Sequence, residues 1–249
     1  MSGHSKWATI KHKKAAADQA RGKLFAKLLR QVEVAAREGG GDPETNATLR
    51  TMFQKARDNS IPLDTIERAI KRGTGELDGV TYEQFIYEGY AAGGVAVMAE
   101  CLTDNRNRTG SEIRNLFTRH GGSMAEPGAV AWQFSRKGHV VVPRSVEEDE
   151  LMLTAADAGA EDIADETDVW RVTTPPADLQ SVRTALENAG IPVDSSEQTM
   201  VPSSTVPVEG DTARRVLQLI DALDDHDDVG AVYSNFDVPD AVFEALEAS

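Results

Sequence analysis

The sequence predicts an α+β protein, with an N-terminal three-helix domain followed by two ferredoxin-like α+β sandwich domains, the second inserted in the first. Amphipathic helical periodicity fills residues 21–75, and short strands alternate with helices from residue 80 onward. Residues 136–203 follow the βαββαβ order of a ferredoxin-like sandwich. We therefore expect three domains, comprising residues 1–79, residues 80–135 plus 204–249, and residues 136–203.

The first predicted helix covers about residues 21–38 and has two distinct faces. Leu24, Leu28 and Val32 lie on one side at helical spacing, which is typical of a packed face. Its cations fall on the opposite side, where we expect them to point outward. Glycines at positions 39–41 end the helix, because glycine adopts the left-handed exit without a Cβ clash.

Two shorter helices complete the predicted bundle. Asp42 is suited to cap the second helix, with Pro43 in its first helical position. The third helix is predicted to begin near Pro62 and to run to Gly73. Each has a narrow apolar stripe that only its neighbours can cover, so the three helices are expected to pack together.

The rest of the chain alternates between strand and helix patterns. A predicted helix near residues 110–120 follows strands at 82–90 and 94–103, and a further strand is expected through Val130 and Trp132. Later strands are predicted at 139–143, 168–173, 197–202, 205–208 and 229–236, with helices at 146–159, 177–189, 210–224 and 239–247.

The net charge of −15 conceals a strong asymmetry along the chain. Residues 1–75 carry a net charge of +7, and the remainder carries −22. Within residues 1–30 there are 8 basic residues and 1 acidic residue. Such a division indicates a polyanionic partner for the basic end, and the acidic body is expected to repel that partner.

Cations interleaved with an aromatic residue identify the candidate nucleic-acid interface. Lysine and arginine neutralise backbone phosphates, and an exposed indole can stack on a base. The alternative is that the cations only solvate a helix face and that the indole packs on the bundle. The candidate residues are Lys6, Trp7, Lys11, His12, Lys13, Lys14, Arg21, Lys23, Lys27 and Arg30.

A second candidate site lies between a predicted strand and the helix near residue 110. Thr109 and Glu112 match a capping box, and Arg106 and Arg108 lie beside the expected helix N-terminus. Together Arg106, Arg108 and Thr109 form a possible site for an anion or an acidic partner. The alternative is a capped turn whose arginines pair with local carboxylates such as those of Asp104 or Glu100.

Motifs for catalysis, metals and cofactors are missing from the sequence. It has no phosphate-binding loop, dinucleotide fingerprint or nucleophile elbow, and its five histidines are scattered, so we expect no catalytic residue, no metal site and no cofactor. The acidic run at 221–228 fits a solvated helix end better than a calcium loop. Cys101 is the single cysteine and is expected in the core.

These absences bear on location and partners. A single cysteine, no secretory signal and no membrane span favour the reducing cytoplasm. The basic, acid-poor N-terminus also fits a mitochondrial transit peptide, an alternative excluded by the family resemblance that follows. The oligomeric state is left open by the sequence, with a monomer favoured.

Long segments of the sequence resemble the YebC/PmpR family. The opening stretch GHSKWATIKHKKAAADQARGKLFAKLLRQVEVAAREGGGDPETN is the most specific match, and IPLDTIERAIKRGTGE, YEGYAAGGVAVMAECLTDNRNRT and GAVAWQF are also similar. The resemblance covers nearly the whole chain and begins at Ser2, so the basic N-terminus belongs to the module itself. Ala91 and Ala92 depart from the Gly-Pro that is usual in the family.

This resemblance implies a three-domain cytoplasmic protein that acts in gene expression. The family carries the description of probable DNA-binding transcriptional regulator. It also includes the mitochondrial translational activator of cytochrome oxidase, and some members resemble translation factors that help ribosomes through consecutive prolines. We therefore predict a DNA-binding transcriptional regulator, with a ribosome-associated translation factor contacting rRNA or tRNA as the alternative. Both targets are phosphate polyanions, so the charge pattern does not separate them.

Overall fold

A computed structural model describes residues 18–166 and 168–238 of the chain. Within these ranges it contains seven α-helices and mainly antiparallel sheets, and the helical N-terminal region precedes the sheets, so the predicted α+β fold class is confirmed. None of the described helices is long and apolar enough to cross a membrane.

The helices are α1 (Asp18–Gly39), α2 (Ala47–Asp58), α3 (Leu63–Gly73), α4 (Arg106–Arg119), α5 (Glu148–Asp157), α6 (Leu179–Asn188) and α7 (Gly210–Asp225). The strands are β1 (Glu83–Tyr90), β2 (Ala96–Thr103), β3 (Ser123–Met124), β4 (Phe134–Pro143), β5 (Asp162–Asp165), β6 (Val169–Thr174), β7 (Ser195–Pro202), β8 (Val206–Pro207), β9 (Val229–Ser234) and β10 (Phe236–Asp237).

The described residues form two compact units. The first unit contains residues 18–31, 79–135 and 202–238. The second unit contains residues 32–78 and the described part of 136–201. The three-domain boundaries expected from the sequence stay a prediction.

The start of α2 differs from the sequence prediction. The helix begins at Ala47, and Asn46 is its N-cap, whose side-chain oxygen accepts a hydrogen bond from the amide of Leu49 at 3.0 Å. Asp42 instead closes a turn before the helix, where its carboxylate accepts from the amide of Glu44 at 3.0 Å. Asn46 also donates to the carbonyl of Ala35 at 2.8 Å, which fixes the cap against α1. A tertiary contact therefore selected the cap, and the local sequence pattern did not show it.

In the first unit, a four-stranded sheet has the order β3-β1-β2-β9. β1 and β2 form an antiparallel pair in which Gly89 lies opposite Val97, and β9 pairs antiparallel to β2 on the other side. Helices α4 and α7 pack on this sheet around a buried core that includes Val97, Phe117 and Ile220. Gly89 is required at its position, because a Cβ there would lie 2.6 Å from the ring of Phe117.

The predicted strand through Val130 and Trp132 is wrong. Ala131–Gln133 form a short 3₁₀ turn, and β4 begins only at Phe134. Hydrogen bonds from this segment go to the side chain of Glu88, as described below, so its backbone has no need of a strand partner.

In the second unit, the strand order β5-β6-β4-β7 with helices α5 and α6 gives the expected βαββαβ sandwich. Its core includes Val140, Trp170 and Leu186. The buried guanidinium of Arg183 joins α2 to this sandwich, with Nη1 2.8 Å from Asp58 Oδ2. Because both side chains are almost fully buried, loss of either partner would leave an uncompensated charge.

Candidate nucleic-acid interface

Six of the ten predicted nucleic-acid contacts lie outside the described residues and stay predictions. The other four belong to α1, in the part of that helix that falls in the first unit. The six outside are Lys6, Trp7, Lys11, His12, Lys13 and Lys14, and the four on α1 are Arg21, Lys23, Lys27 and Arg30.

Two lysines of α1 contact the acidic segment (residues 224–228), which consists of the last two residues of α7 and the three residues after them. Lys23 Nζ lies 3.3 Å from Asp225 Oδ2. Lys27 Nζ donates to the backbone carbonyl of Asp224. The expectation that these cations point outward is therefore wrong. Helical periodicity identified the polar face correctly, but it could not show that a distant acidic segment covers that face.

Arg30 makes the most extensive contacts of the α1 cations. Its Nη1 donates to the carbonyl of Asp227 at 2.9 Å and lies 3.3 Å from Asp228 Oδ1. The guanidinium also lies over the ring of Tyr82, 5.1 Å from its centroid. A planar cation held on several sides loses rotamer freedom, so Arg30 acts here as an anchor of α1.

Asp228 lies at the centre of this network. Its carboxylate accepts from Arg108 Nη2 and from Thr109 Oγ1, both at 2.7 Å, in addition to the contact with Arg30. Burial alone would raise the pKa of Asp228. The hydrogen bonds from Arg108 and Thr109 and the charges of the two arginines outweigh that effect, so the pKa is lowered from its ordinary value of 3.8.

The predicted anion site at Arg106, Arg108 and Thr109 is occupied by partners from the chain. Helix α4 begins at Arg106 with Asn105 as its N-cap, so the capping box expected at Thr109 is wrong. Thr109 is fully buried inside the helix. Arg108 pairs with Asp104 at 3.1 Å as well as with Asp228, and Arg106 stacks on Phe85 at 4.3 Å. The pair of Arg108 with Asp104 agrees with the alternative that the sequence left open, whereas the pair with Asp228 and the stacking of Arg106 were not expected.

An open cleft of about 690 Å³ lies beside this network in the first unit. His226 occupies its wall, with Nε2 2.8 Å from Glu112 Oε2. The amide of Asp228 donates to His226 Nδ1 at 3.1 Å. Because Nδ1 accepts a hydrogen bond, the neutral ring carries its hydrogen on Nε2 and donates it to Glu112. The cleft is lined by Lys23, Arg30, Tyr82, Asp104, Arg108, Glu112, Asn115, Leu116, Asp225, His226, Asp227 and Asp228.

Glu112, His226 and Asp228 bring three potential metal ligands within 4.8 Å of one another. The oxygens of Asp228 already accept from two arginines and a threonine, and those cations would repel a metal ion. Binding through His226 Nε2 would also require the hydrogen to move to Nδ1, where it would oppose the amide of Asp228. The donor set therefore fits an internal ion-pair network better than a metal centre.

A different arrangement presents Trp132 at the other end of the first unit. The side chain is 75% exposed, and its indole nitrogen donates to the carbonyl of Ala129 at 3.0 Å. The turn that carries it, residues 126–133, is held by the buried carboxylate of Glu88. The indole is thus fixed in position although it faces solvent.

Three backbone amides surround the Glu88 carboxylate. Gly128, Val130 and Ala131 donate to it at 2.6, 2.7 and 2.9 Å. Burial alone would raise the pKa of Glu88. The three amide hydrogen bonds outweigh burial, so the pKa is lowered from its ordinary value of 4.5.

A helical N-terminal region that precedes the sheets, with basic residues concentrated at the start of the chain, defines a class of α+β protein with a basic N-terminal region. Two models of known protein families match the chain. Residues 5–76 match the model described as TACO1/YebC protein N-terminal domain, and residues 82–236 match TACO1/YebC second and third domain. The chain belongs to the TACO1/YebC family.

Relatives match along almost their whole length. A protein of Thermobifida fusca is 56% identical over 99% of this chain and 100% of the relative, and one of Natranaerobius thermophilus is 53% identical over 98% and 99%. Both are named probable transcriptional regulatory protein. The crystal structure of a conserved hypothetical protein from Aquifex aeolicus has a TM-score of 0.82 and 47% identity, covering 90% of this chain and 93% of that one.

The structure also shows residues whose roles the sequence did not reveal. Glu88 lies in a predicted strand, and Asp228 was one of several acidic residues in an apparently solvated run. Asp228 is buried, so the solvated description is wrong for that residue. The sequence gives little indication that Asp228 is buried. The one indication is that Val229, the next residue, begins β9, a strand that lies in the core.

Proposed function

We propose that this chain is a nucleic-acid-binding regulator of gene expression that binds DNA as a transcriptional regulator in the cytoplasm, without catalysis or a cofactor. The observation that carries the proposal is the concentration of 8 basic residues against 1 acidic residue in the first 30 positions of a chain whose net charge is −15. The names of the relatives support the regulatory part of the proposal.

Electrostatics explains how such a division of charge would work. Each phosphate neutralised by lysine or arginine releases condensed counterions, which favours binding at moderate salt. The net charge of −22 on residues 76–249 opposes contact between the body and a polyanion. Binding is therefore expected to occur through the basic end in a restricted set of orientations.

The contacts of α1 refine which cations carry this function. Lys23, Lys27 and Arg30 already have partners in the acidic segment or next to it. A polyanion that used them would first have to displace these contacts. The four lysines that precede α1, at positions 6, 11, 13 and 14, therefore carry most of the proposed affinity.

Fluorescence anisotropy with a labelled DNA duplex tests the proposal. We expect the logarithm of the association constant to fall linearly with the logarithm of salt concentration, with a slope of about −0.9 for each phosphate neutralised. Lys13→Glu should weaken binding and reduce that slope. Lys71→Glu, which makes the same charge change at an exposed position of α3, should have a smaller effect. A wild-type chain that binds no duplex at low salt would refute the proposal.

A ribosome-associated translation factor is the second candidate. The contacts of Lys23, Lys27 and Arg30 favour it, because a helix whose basic face is held by an acidic segment cannot enter a major groove with that face. Structured RNA is bound largely through shape, stacking and backbone contacts, which need no such helix. Sedimentation with ribosomes that is abolished by Lys11/Lys13/Lys14→Glu would support this candidate, and free migration at low salt would exclude it.

A further inference from the structure

We infer that Trp132 is a second nucleic-acid contact, on the first unit, which takes an unpaired base by stacking. This inference rests on the proposed function, since it names a further site for the same class of ligand. It concerns a part of the chain well separated in sequence from the basic N-terminal segment. The observations that carry it are the construction of the turn at 126–133, the state of the indole, and the charge at that end of the unit.

The turn that carries Trp132 is held in one conformation by hydrogen bonds. A buried carboxylate is stable only when hydrogen bonds replace its lost hydration, and Glu88 obtains them from three successive parts of this turn. Gln133, next to Trp132, is fixed as well, because its carbonyl accepts from Ser203 Oγ at 3.0 Å. These contacts hold a conformation in which the large side chain of Trp132 stays 75% exposed.

The hydrogen bonding of the Trp132 indole indicates which kind of ligand it can bind. Its nitrogen is already satisfied by Ala129, so the ring offers apolar faces and no free donor. Every base presents a π face, and stacking on an exposed aromatic ring needs no further hydrogen bond. Tyr90 Oη also donates to the carbonyl of Ala129, at 3.1 Å, which restrains the acceptor that positions the ring.

Two arginines supply positive charge at the same end of the first unit. Arg119 ends α4, and Nη1 of Arg215 on α7 lies 3.6 Å from the position that a Cβ would take at Gly121. Within the described residues, neither arginine forms an ion pair with a carboxylate. Cations in this state remain available for phosphates.

The sheet connects these arginines to the turn of Trp132. The segment after Gly121 forms β3, which pairs with Gly89 and Tyr90 at the end of β1. Tyr90 then reaches Ala129 of the turn. Two arginines without a carboxylate partner in the described residues and a fixed indole at one end of a unit match the two requirements of single-stranded nucleic acid, a charged backbone and exposed bases.

An apolar pocket on a protein partner is a weaker fit. Hot-spot tryptophans at protein interfaces lie within a ring of further contacts that exclude water. Among the exposed large hydrophobic residues of the described chain, Trp132 is the aromatic one, and the others in the first unit are Val80 and Ile86, which are only 46% and 43% exposed. The exposed arginines Arg119 and Arg215 also favour a polyanion over an apolar surface.

Binding to a labelled single-stranded oligonucleotide and to a duplex of the same sequence tests the inference. Trp132→Ala should weaken single-strand binding about tenfold, because stacking on one aromatic ring typically contributes that much. Trp132→Phe, which keeps an aromatic face, should lose about twofold to threefold. Duplex binding should change little, since duplex bases are already stacked on one another.

Tryptophan fluorescence gives a direct readout of the same contact. In a Trp7→Phe chain the remaining tryptophans are Trp132 and Trp170, and Trp170 is only 2% exposed. Saturation with unlabelled single strand should therefore quench the exposed emission and protect it from acrylamide. Duplex at the same nucleotide concentration should leave it largely unchanged.

Leu153→Ala serves as the matched control, because it also removes an exposed large apolar side chain, 68% exposed, without removing an aromatic face. It should bind single strand like the wild type. Equal single-strand affinities for wild type and Trp132→Ala overturn the inference, and so does unquenched emission at saturation. A wild-type chain that binds neither nucleic acid refutes the proposed function itself, and a chain that binds both but ignores Trp132→Ala refutes only this inference.

Discussion

Each of the two ends of the first unit contains a buried carboxylate, that of Asp228 at one end and that of Glu88 at the other. The two negative charges are stabilised by different groups. Asp228 is neutralised by the side chains of Arg30 and Arg108 with the hydroxyl of Thr109. Within the described residues, the charge of Glu88 is stabilised by hydrogen bonds from three backbone amides. In the first arrangement, one cation of α1 and one of α4 form ion pairs with the carboxylate. The second involves only backbone amides, and within the described residues Arg119 and Arg215 at that end form no ion pair with a carboxylate.

This difference shows that a count of cations does not locate a nucleic-acid site. Arg30 and Lys23 appear favourable in the sequence, yet both are paired in the structure. Arg119 and Arg215 lie in a strongly acidic part of the chain, and neither is paired with a carboxylate in the described residues. What matters for binding is the charge left after the internal pairs are made.

The largest effect on stability is expected at the end of the first unit that contains Asp228. Asp228→Ala leaves two arginines and a threonine without their shared acceptor, and we expect it to lower the free energy of unfolding by about 3 kcal/mol. Chemical denaturation measures this change. Asp225→Ala is the matched control, because its side chain is 76% exposed and its pair with Lys23 is screened by solvent, so it should change stability by less than about 0.5 kcal/mol. Similar losses for both variants would contradict the central role of Asp228.

At the other end, Glu88→Ala should cost about 2 kcal/mol, because three amides lose a charged acceptor. The loss is smaller than for Asp228→Ala, since water can reach part of the turn once it relaxes. Glu88→Gln keeps one acceptor oxygen and should fall between Glu88→Ala and the wild type. Trp132 emission should shift in Glu88→Ala but stay nearly unchanged in Asp228→Ala, and identical emission in both variants would show that Glu88 does not position the indole.

Acidic pH should reduce the stability that the carboxylates of Glu88 and Asp228 contribute to the fold. The folded-state pKa of Glu88 is lowered from 4.5 and that of Asp228 from 3.8, so each carboxylate contributes stability above these ordinary values. That stability is lost as the pH falls through the lower folded-state pKa. Denaturant unfolding of the wild type and of Glu88→Gln between neutral and acidic pH checks this. We expect the difference between the two proteins to narrow as the pH drops below 4.5, and a constant difference would contradict it.

The fold class could be predicted from the sequence because it depends on repeating local patterns. The amphipathic stripe of α1 and the βαββαβ order of the second unit are visible without tertiary information. Features that depend on a single tertiary contact were harder to predict from the sequence. Asn46 was not identified as a cap because its selection depends on Ala35, and the turn of Trp132 was predicted as a strand because its hydrogen-bond acceptor is a side chain on β1.

The candidate site was harder to predict than the fold. Sequence reasoning found the cations of α1 but not their partners, which lie about 200 positions away along the chain, as in the pair of Arg30 with Asp228 separated by 198 positions. Spacing rules extend over a few residues, and ion pairs of this kind depend on the complete topology. Arg119, Arg215 and Trp132 carry no motif that links them, and only the sheet brings them to one end of the unit.

A direct comparison of one cation from each end gives the smallest expected effect. Arg215→Gln removes an arginine that has no carboxylate partner among residues 18–166 and 168–238, so single-strand affinity should fall and the salt slope should decrease in magnitude by about 0.7. Lys23→Gln removes a lysine that already pairs with Asp225, so the slope should change by much less. Arg215 is exposed and Lys23 is partly exposed, and each substitution removes one positive charge, so the two variants are matched in net charge. Equal changes in slope would show that the pair of Lys23 opens readily for a polyanion, and the distinction between the two ends would then no longer hold.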